Sequence, residues 1–173
     1  RDMFVFSCYT GLAYIDIFNL TKDQLSKGID GNLWIITNRQ KTGSASNIPL
    51  LPVAEEIIKK YENHPVSSNS GKLLPVYTNQ KVNEYLKTIA ENCGINKKLT
   101  FHCARHTFAT TVTLGNNVSM ESVSKMLGHK SIKTTQHYAK ILDSKVSQDM
   151  GSLKLVLEKK NEVQKENDKK LGS

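Results

Sequence analysis

Four side chains in the C-terminal half of the chain could together break and remake a phosphodiester bond: His102, Arg105, His129 and Tyr138. Arg105 carries a planar guanidinium whose fork of N–H donors matches a phosphate group. The two imidazoles can each accept or donate a proton near neutral pH. The phenol of Tyr138 could act as a nucleophile. These residue types would allow a phosphoryl transfer through a covalent phosphotyrosine, and this chemistry requires no metal ion or other cofactor.

The order and spacing of these residues resemble the C-terminal half of a tyrosine recombinase catalytic domain (phage-integrase family). The chain has His-x-x-Arg at 102–105, Leu-Gly-His at 127–129 and a Tyr nine residues later, at 138. The amino-acid sequence of these segments is most similar to that of integrases of Bacteroides-type conjugative (mobilisable) transposons. The resemblance implies a site-specific recombinase that cleaves and rejoins DNA through a 3′-phosphotyrosine when a mobile element is integrated or excised. It further implies double-stranded DNA attachment sites as substrates and a homotetramer on DNA.

The first motif of this family is present with one departure. The family pattern is Thr-Gly-Leu-Arg-x-x-Glu/Asp, and the chain matches it at 10–12 and at Asp16. Position 13 is Ala, although the family's Arg at this place supplies half of the phosphate clamp. The resemblance assigns Asp16 a supporting role, in which it orients a cationic or imidazole group.

A predicted β-hairpin supplies two further candidates. The β-branched and aromatic residues of 33–41 predict a strand, and 45–50 the return strand. In the resembling family a Lys near this turn is the general acid, and Lys41 fits that position. Arg39 lies two residues earlier, so both side chains would share one face of the strand. We hypothesise that Arg39 replaces the cation missing at Ala13, and a contact between Arg39 and the DNA backbone is an equally weighted alternative.

Composition and charge favour a nucleic-acid partner. The chain has 173 residues, enough for one domain with a full core, and a net charge of +8. A protein with this positive charge attracts polyanions, and nucleic acid is the simplest such partner. Cations that include Arg39, Lys41, Lys130 and Lys133 would contact DNA phosphates, so the affinity for DNA should fall steeply with salt.

Cysteine usage and hydropathy are typical of a cytoplasmic protein, and the resemblance implies that it is bacterial. The three cysteines form no Cys-x-x-Cys pair, which predicts reduced thiols. No apolar run reaches the roughly 20 residues that a membrane span needs, and no signal peptide precedes the first predicted helix. We expect the chain to be a fragment that lacks the N-terminal DNA-binding domains of the family.

Periodicity and turn signals predict a mixed, mainly α fold with a small antiparallel β-sheet at one edge. A buried helix over 2–10 should end at Gly11, because glycine suits the C-terminal end of a helix. Residues 52–61 form an amphipathic pattern, whereas 63–72 are typical of a loop. A further helix is predicted over 80–93, with Asn79 as its N-cap.

Short helices are expected to present the candidate catalytic residues. Thr100 is the expected N-cap of the helix that carries His-x-x-Arg. His106 follows Arg105 and should be turned roughly 100° away from it, which favours a structural role. A last short helix begins at Ser131 and presents Tyr138.

The C-terminal segment predicts an amphipathic helix over about 143–157. Its apolar residues recur at spacings of four, three and four: Val146, Met150, Leu153 and Leu157. This helix could complete its own core or dock on a neighbouring protomer. Residues 1–157 would then form the catalytic domain, and 158–173 a charged, flexible tail.

Two alternatives remain open, and a third is not favoured. Ala13 favours a degenerate relative that binds DNA without cleaving it. A type IB topoisomerase-like enzyme would use the same residues to nick and reseal one strand. His102 and His106 have the i, i+4 spacing of a zinc-binding helix, but the sequence offers no evident third ligand, so we expect no metal site.

Overall fold

The structure, a computed structural model, describes residues 1–138, 146–147 and 149–160, apart from the side chains of residues 66, 68 and 69. The chain divides into two units, Arg1–Tyr138 and Ala139–Ser173. The described residues of the second unit are helical, and its apolar side chains, Val146, Met150, Leu153 and Leu157, are exposed. Residues 143–145 and 148 of the predicted C-terminal helix, and 161–173 of the predicted tail, lie outside the described residues.

Helix α1 (Asp2–Thr10) runs through the core of the first unit, where Phe6 is fully buried. The helix ends at Gly11, which has φ 70°, in the left-handed region that favours glycine. A Cβ at this position would lie 2.4 Å from Cδ1 of Phe108. Glycine therefore allows the end of α1 to approach the segment that carries Phe108, and the predicted end of the helix is confirmed.

Three strands form an antiparallel sheet in the order β1 (Leu25–Lys27), β2 (Leu33–Asn38) and β3 (Ala45–Pro49). The buried residues Ile35 and Ile48 pair across β2 and β3. The predicted hairpin is present, but β2 ends at Asn38 rather than at residue 41. Strand β1 was not predicted, because three residues are too few to show an alternating pattern.

Helices cover the rest of the first unit: α2 (Tyr14–Asn19), α3 (Pro52–Tyr61), α4 (Pro65–Ser70) and α5 (Asn79–Asn92). Helix α3 has the predicted bounds. The prediction of a loop over 63–72 was wrong, because Pro65 occupies the first position of α4, where proline is favoured. Thr78 rather than Asn79 caps α5, since its hydroxyl accepts a hydrogen bond from the backbone N–H of Lys81 at 3.3 Å.

The site residues follow in α6 (His102–Thr107), α7 (Met120–Met126) and α8 (Ile132–Gln136). Phe101, not Thr100, precedes α6 as its N-cap. Residues 108–113 continue α6 as a π-helical segment, and their buried Phe108 packs with α7 in a small second core. Helix α8 begins one residue after the predicted start at Ser131, which caps it by accepting a hydrogen bond from the backbone N–H of Lys133.

The described helices place the structure in the expected fold class, mainly helical with one small antiparallel sheet. In the part of the chain that the structure describes, no helix combines the length and apolarity needed to cross a bilayer.

Candidate active site

Arg105 projects from α6 into the interior and is only 3% exposed. Its guanidinium donates hydrogen bonds to the backbone carbonyl of Gly11 and, at 2.6 Å, to that of Leu127. Burial, and then the charge of Arg39, lower the pKa of Arg105 to about 10. The group therefore remains charged at neutral pH. A buried cation bonded to neutral oxygens is well placed to attract an anion.

His129 lies directly after Gly128, whose φ of 59° ends the α7 region and turns the chain toward Arg105. Its Nε2 is 3.2 Å from a guanidinium nitrogen of Arg105, and its Nδ1 is 2.8 Å from the hydroxyl of buried Thr135. Arginine can only donate, so Nε2 accepts and the neutral ring carries its proton on Nδ1. Burial, followed by the charges of the two arginines, lowers the pKa of His129 to about 4.

Tyr138 lies next to this pair, two residues past the end of α8. Its ring is parallel to that of His129, with centroids 6.1 Å apart. The phenol is close enough to Arg105 to oppose the fall in the pKa of that guanidinium. The candidate nucleophile, Tyr138, and the candidate phosphate-binding residue, Arg105, are therefore both supplied to this site by a single chain.

Arg39 extends from the turn between β2 and β3 to Leu127, the residue that Arg105 also contacts. Its side chain is 10% exposed and donates a hydrogen bond to the carbonyl of Leu127 at 3.2 Å. Its Nε lies 3.4 Å from Oδ2 of Asp16, in an ion pair that lacks hydrogen-bond alignment. The other carboxylate oxygen of Asp16 accepts a hydrogen bond from the backbone of Gln40 at 3.0 Å. Asp16 therefore holds both the side chain of Arg39 and the turn that carries it.

The expectation that Arg39 and Lys41 share one strand face was wrong. Strand β2 ends at Asn38, so both residues lie in the turn, where the two-residue alternation of a strand does not apply. Arg39 is buried, whereas Lys41 is exposed. Their charges nevertheless act on one group, because both lower the pKa of His102.

His102 stands at the solvent edge of the site. Its pKa is lowered first by burial and then by the charges of His106, Arg105, Arg39 and Lys41. The neutral ring is therefore favoured, and a neutral imidazole can accept a proton.

His106 lies nearer to the site than its predicted orientation implied. Its ring is 5.0 Å from that of His102 and 4.7 Å from that of Tyr138, both edge-to-face. The predicted orientation of the His106 side chain was taken relative to Arg105, the preceding residue. A helix, however, places residues i and i+4 on one face, and His106 is four residues after His102. The expected orientation away from the site was therefore wrong.

Ala13 leaves space beside Arg105. It lines an open cleft of about 620 Å³ together with His102, Arg105 and Lys98. The Arg that the first motif would place at position 13 is thus absent from a cleft that His102 and Arg105 also line. Lys130 and Lys133, proposed as DNA contacts, are exposed near α8. Among the described residues, no cluster of three or more His, Cys, Asp or Glu could hold a metal ion.

A family model described as the phage integrase family matches residues 1–145. The chain belongs to the phage integrase family. Tyrosine recombinase XerC of Rickettsia canadensis (strain McKiel) is 31% identical over 142 residues, which cover 76% of this chain and 43% of that protein. The chain therefore spans less than half the length of this relative.

Solved structures share the fold of this integrase-family chain. The XerH site-specific recombinase in a post-cleavage complex with its palindromic difH substrate has a TM-score of 0.67 at 19% identity, over 87% of this chain and 44% of that one. The Tn1549 transposon integrase in complex with a circular intermediate DNA has a TM-score of 0.64 at 17% identity, over 87% and 57%. These similarities confirm the predicted fold of the catalytic domain.

Proposed function

We propose that this chain is the catalytic domain of a site-specific DNA recombinase. The observation that carries the proposal is the position of Tyr138, whose ring stacks parallel to that of His129, while Nε2 of His129 lies 3.2 Å from the buried guanidinium of Arg105. A nucleophile next to a phosphate-binding cation is what in-line phosphoryl transfer requires. The net charge of +8 supports DNA as the substrate.

In the proposed reaction, the phenol oxygen of Tyr138 attacks the scissile phosphorus. The bond to the 5′ oxygen breaks, and the phosphoryl group remains on Tyr138 as a 3′-phosphotyrosine. The phenol proton passes to His102, and Lys41 protonates the leaving 5′ oxygen. A 5′ hydroxyl from another strand then reverses these steps. The ester retains the energy of the phosphodiester, so rejoining needs no nucleoside triphosphate or other cofactor.

Arg105, His129 and Arg39 would stabilise the charge that develops on the non-bridging oxygens. We assign Arg39 the role of the Arg missing at Ala13. Support comes from its burial and from its bond to Leu127, the residue whose carbonyl Arg105 also contacts. Preorganised donors of this kind are most effective in a site with little water. In this scheme Asp16 keeps Arg39 in place and takes no part in the chemistry.

The proposed partners are double-stranded DNA attachment sites and further copies of the protein. The exposed Lys130 and Lys133 would contact phosphates near the cleavage point. We propose a tetramer on DNA, in which the exposed apolar residues of the predicted helix over 143–157 dock on a neighbouring protomer. The residues of the motifs support a mobile element similar to Bacteroides-type conjugative transposons. We further propose that the enzyme acts on its DNA substrate in the bacterial cytoplasm.

Covalent trapping tests this function. The full-length protein that carries this chain is incubated with a nicked suicide duplex bearing the proposed attachment site. We expect a protein–DNA adduct that survives SDS and is lost in Tyr138→Phe. An adduct from both proteins would exclude Tyr138 as the nucleophile. An adduct without strand exchange, accompanied by relaxation of supercoiled plasmid, would instead support the topoisomerase-like alternative.

Ala13 favours a second candidate, a relative that binds DNA without cleaving it. The wild-type protein would then bind duplex DNA in a salt-sensitive manner and form no adduct. If Ala13 is the cause, Ala13→Arg should restore adduct formation, because it would return a guanidinium to the cleft beside Arg105.

A further inference from the structure

The backbone alone does not fix the phenol of Tyr138. Helix α8 has only five residues, and Tyr138 lies two residues beyond its end. Within the described residues, the backbone N–H of Tyr138 donates a hydrogen bond to the carbonyl of Thr135 at 2.9 Å. The position of the ring must therefore depend on side-chain contacts.

Two imidazoles contact this ring in different ways. His129 lies parallel to it, at a centroid distance of 6.1 Å and an interplanar angle of 6°. His106 lies closer, at 4.7 Å and 66°, in the edge-to-face arrangement that aromatic rings favour. His106 is thus the nearer of these two rings to Tyr138, although the mechanism described above assigns it no task.

His106 is itself held on the helix that carries Arg105. Its backbone carbonyl accepts a hydrogen bond from the hydroxyl of Thr110 at 2.8 Å. Its ring meets that of His102 at 5.0 Å, nearly perpendicular. The imidazole of His106 therefore connects α6, where the phosphate-binding residues lie, with the ring of Tyr138.

We propose that His106 is a positioning residue that holds the ring of Tyr138 in the site through edge-to-face contact. This inference rests on the proposed function of Tyr138 as the nucleophile. The contact uses the shape and edge of the imidazole, not its proton. Another aromatic ring at position 106 should therefore serve, whereas a small side chain should let the phenol move away from Arg105.

Single-turnover cleavage of the suicide duplex at saturating DNA tests this role in the full-length protein. We expect His106→Ala to slow adduct formation by about ten- to a hundredfold, because a displacement of about 1 Å from the reactive geometry can have that effect. The dissociation constant for DNA should stay unchanged. His106→Phe should recover most of the lost rate and keep the wild-type pH profile. The matched control is His137→Ala, which removes an exposed imidazole next to Tyr138 in the chain.

The outcomes separate this inference from the function on which it rests. An unchanged rate in His106→Ala, with an adduct from the wild type, would overturn the positioning role alone. A His106→Phe variant that folds and binds DNA but cleaves as slowly as His106→Ala would also overturn it, and would indicate that the imidazole proton matters. Absence of an adduct from the wild type would overturn the proposed function itself.

Discussion

Arg39 and Arg105 donate hydrogen bonds to the same acceptor, the backbone carbonyl oxygen of Leu127, at 3.2 and 2.6 Å. Two buried guanidiniums that share a neutral oxygen repel one another, and the charge of Arg39 indeed lowers the pKa of Arg105. A phosphate with two charged oxygens would relieve that repulsion. The shared carbonyl therefore holds two cations side by side, where the proposed reaction needs them to bind the scissile phosphate.

Removal of Arg39 should slow cleavage and leave DNA binding largely intact. We expect Arg39→Ala to lower the single-turnover rate by about 10²–10³-fold, the usual effect of deleting one preorganised donor. Ala13→Arg in the same protein should restore part of the rate, because position 13 lines the cleft beside Arg105. The measurement is adduct formation at saturating DNA, with melting temperatures to confirm folding.

Lys87→Ala provides the control for Arg39→Ala, since Lys87 forms only an exposed ion pair on α5 with Glu91 among the contacts described. It should cleave at the wild-type rate. A folded Arg39→Ala variant that also cleaves at that rate, but binds DNA more weakly, would show that Arg39 contacts the DNA backbone instead.

Asp16 should contribute more to the free energy of unfolding than a carboxylate in an exposed ion pair does. Asp16→Asn retains an oxygen for the backbone N–H of Gln40 but removes the charge next to Arg39. Loss of one partner from a buried ion pair typically lowers the free energy of unfolding by about 3 kcal/mol or more. Urea denaturation would measure this change. Glu84→Gln, which breaks an exposed pair with Lys81, should change it by less than about 1 kcal/mol.

The family resemblance assigned Arg105, His129 and Tyr138 to one site, but the sequence left open whether Tyr138 lies there without DNA. Local sequence could not decide this, because the stacking of Tyr138 on His129 depends on tertiary packing. It could not predict that Arg39 would meet Leu127, since that contact joins residues 88 positions apart. The prediction that Lys41 lies in strand β2 was also wrong, because the end of β2 at Asn38 depends on pairing with β3 rather than on composition. The ring contact of His106 with Tyr138 likewise requires the packing of α6 against the end of α8.

Gly128 should be more sensitive to substitution than Gly43, which has a similar φ. A Cβ at Gly128 would lie 2.7 Å from Cγ of Arg39, whereas a Cβ at Gly43 would have no atom within 4 Å. Both have positive φ, 59° and 66°, so both alanine variants should lose about 1–2 kcal/mol of stability from backbone strain. Only Gly128→Ala should also displace Arg39 and slow cleavage. Equal cleavage rates in the two variants would contradict the proposed role of this close contact.

His129 should make the fold sensitive to mild acid. Its pKa in the folded protein is lowered to about 4, whereas an unfolded His has a pKa of about 6.5. Between these values the unfolded state binds more protons, so stability is complete above about pH 6.5 and falls as the pH drops toward 4. His102, whose pKa is also lowered, contributes in the same direction. The melting temperature should therefore be lower at pH 5 than at pH 7.

His129→Asn separates the contribution of this one group. Asn can still donate a hydrogen bond to Thr135 but cannot titrate, so the fall in melting temperature between pH 7 and pH 5 should be smaller than in the wild type. His137→Asn, at an exposed position, should show the wild-type fall. The lowered pKa of the Asp2 carboxylate, caused mainly by Lys60, affects stability only below this pH range. An identical acid response in the wild type and His129→Asn would mean that His129 is not held neutral by its burial and by the two arginines.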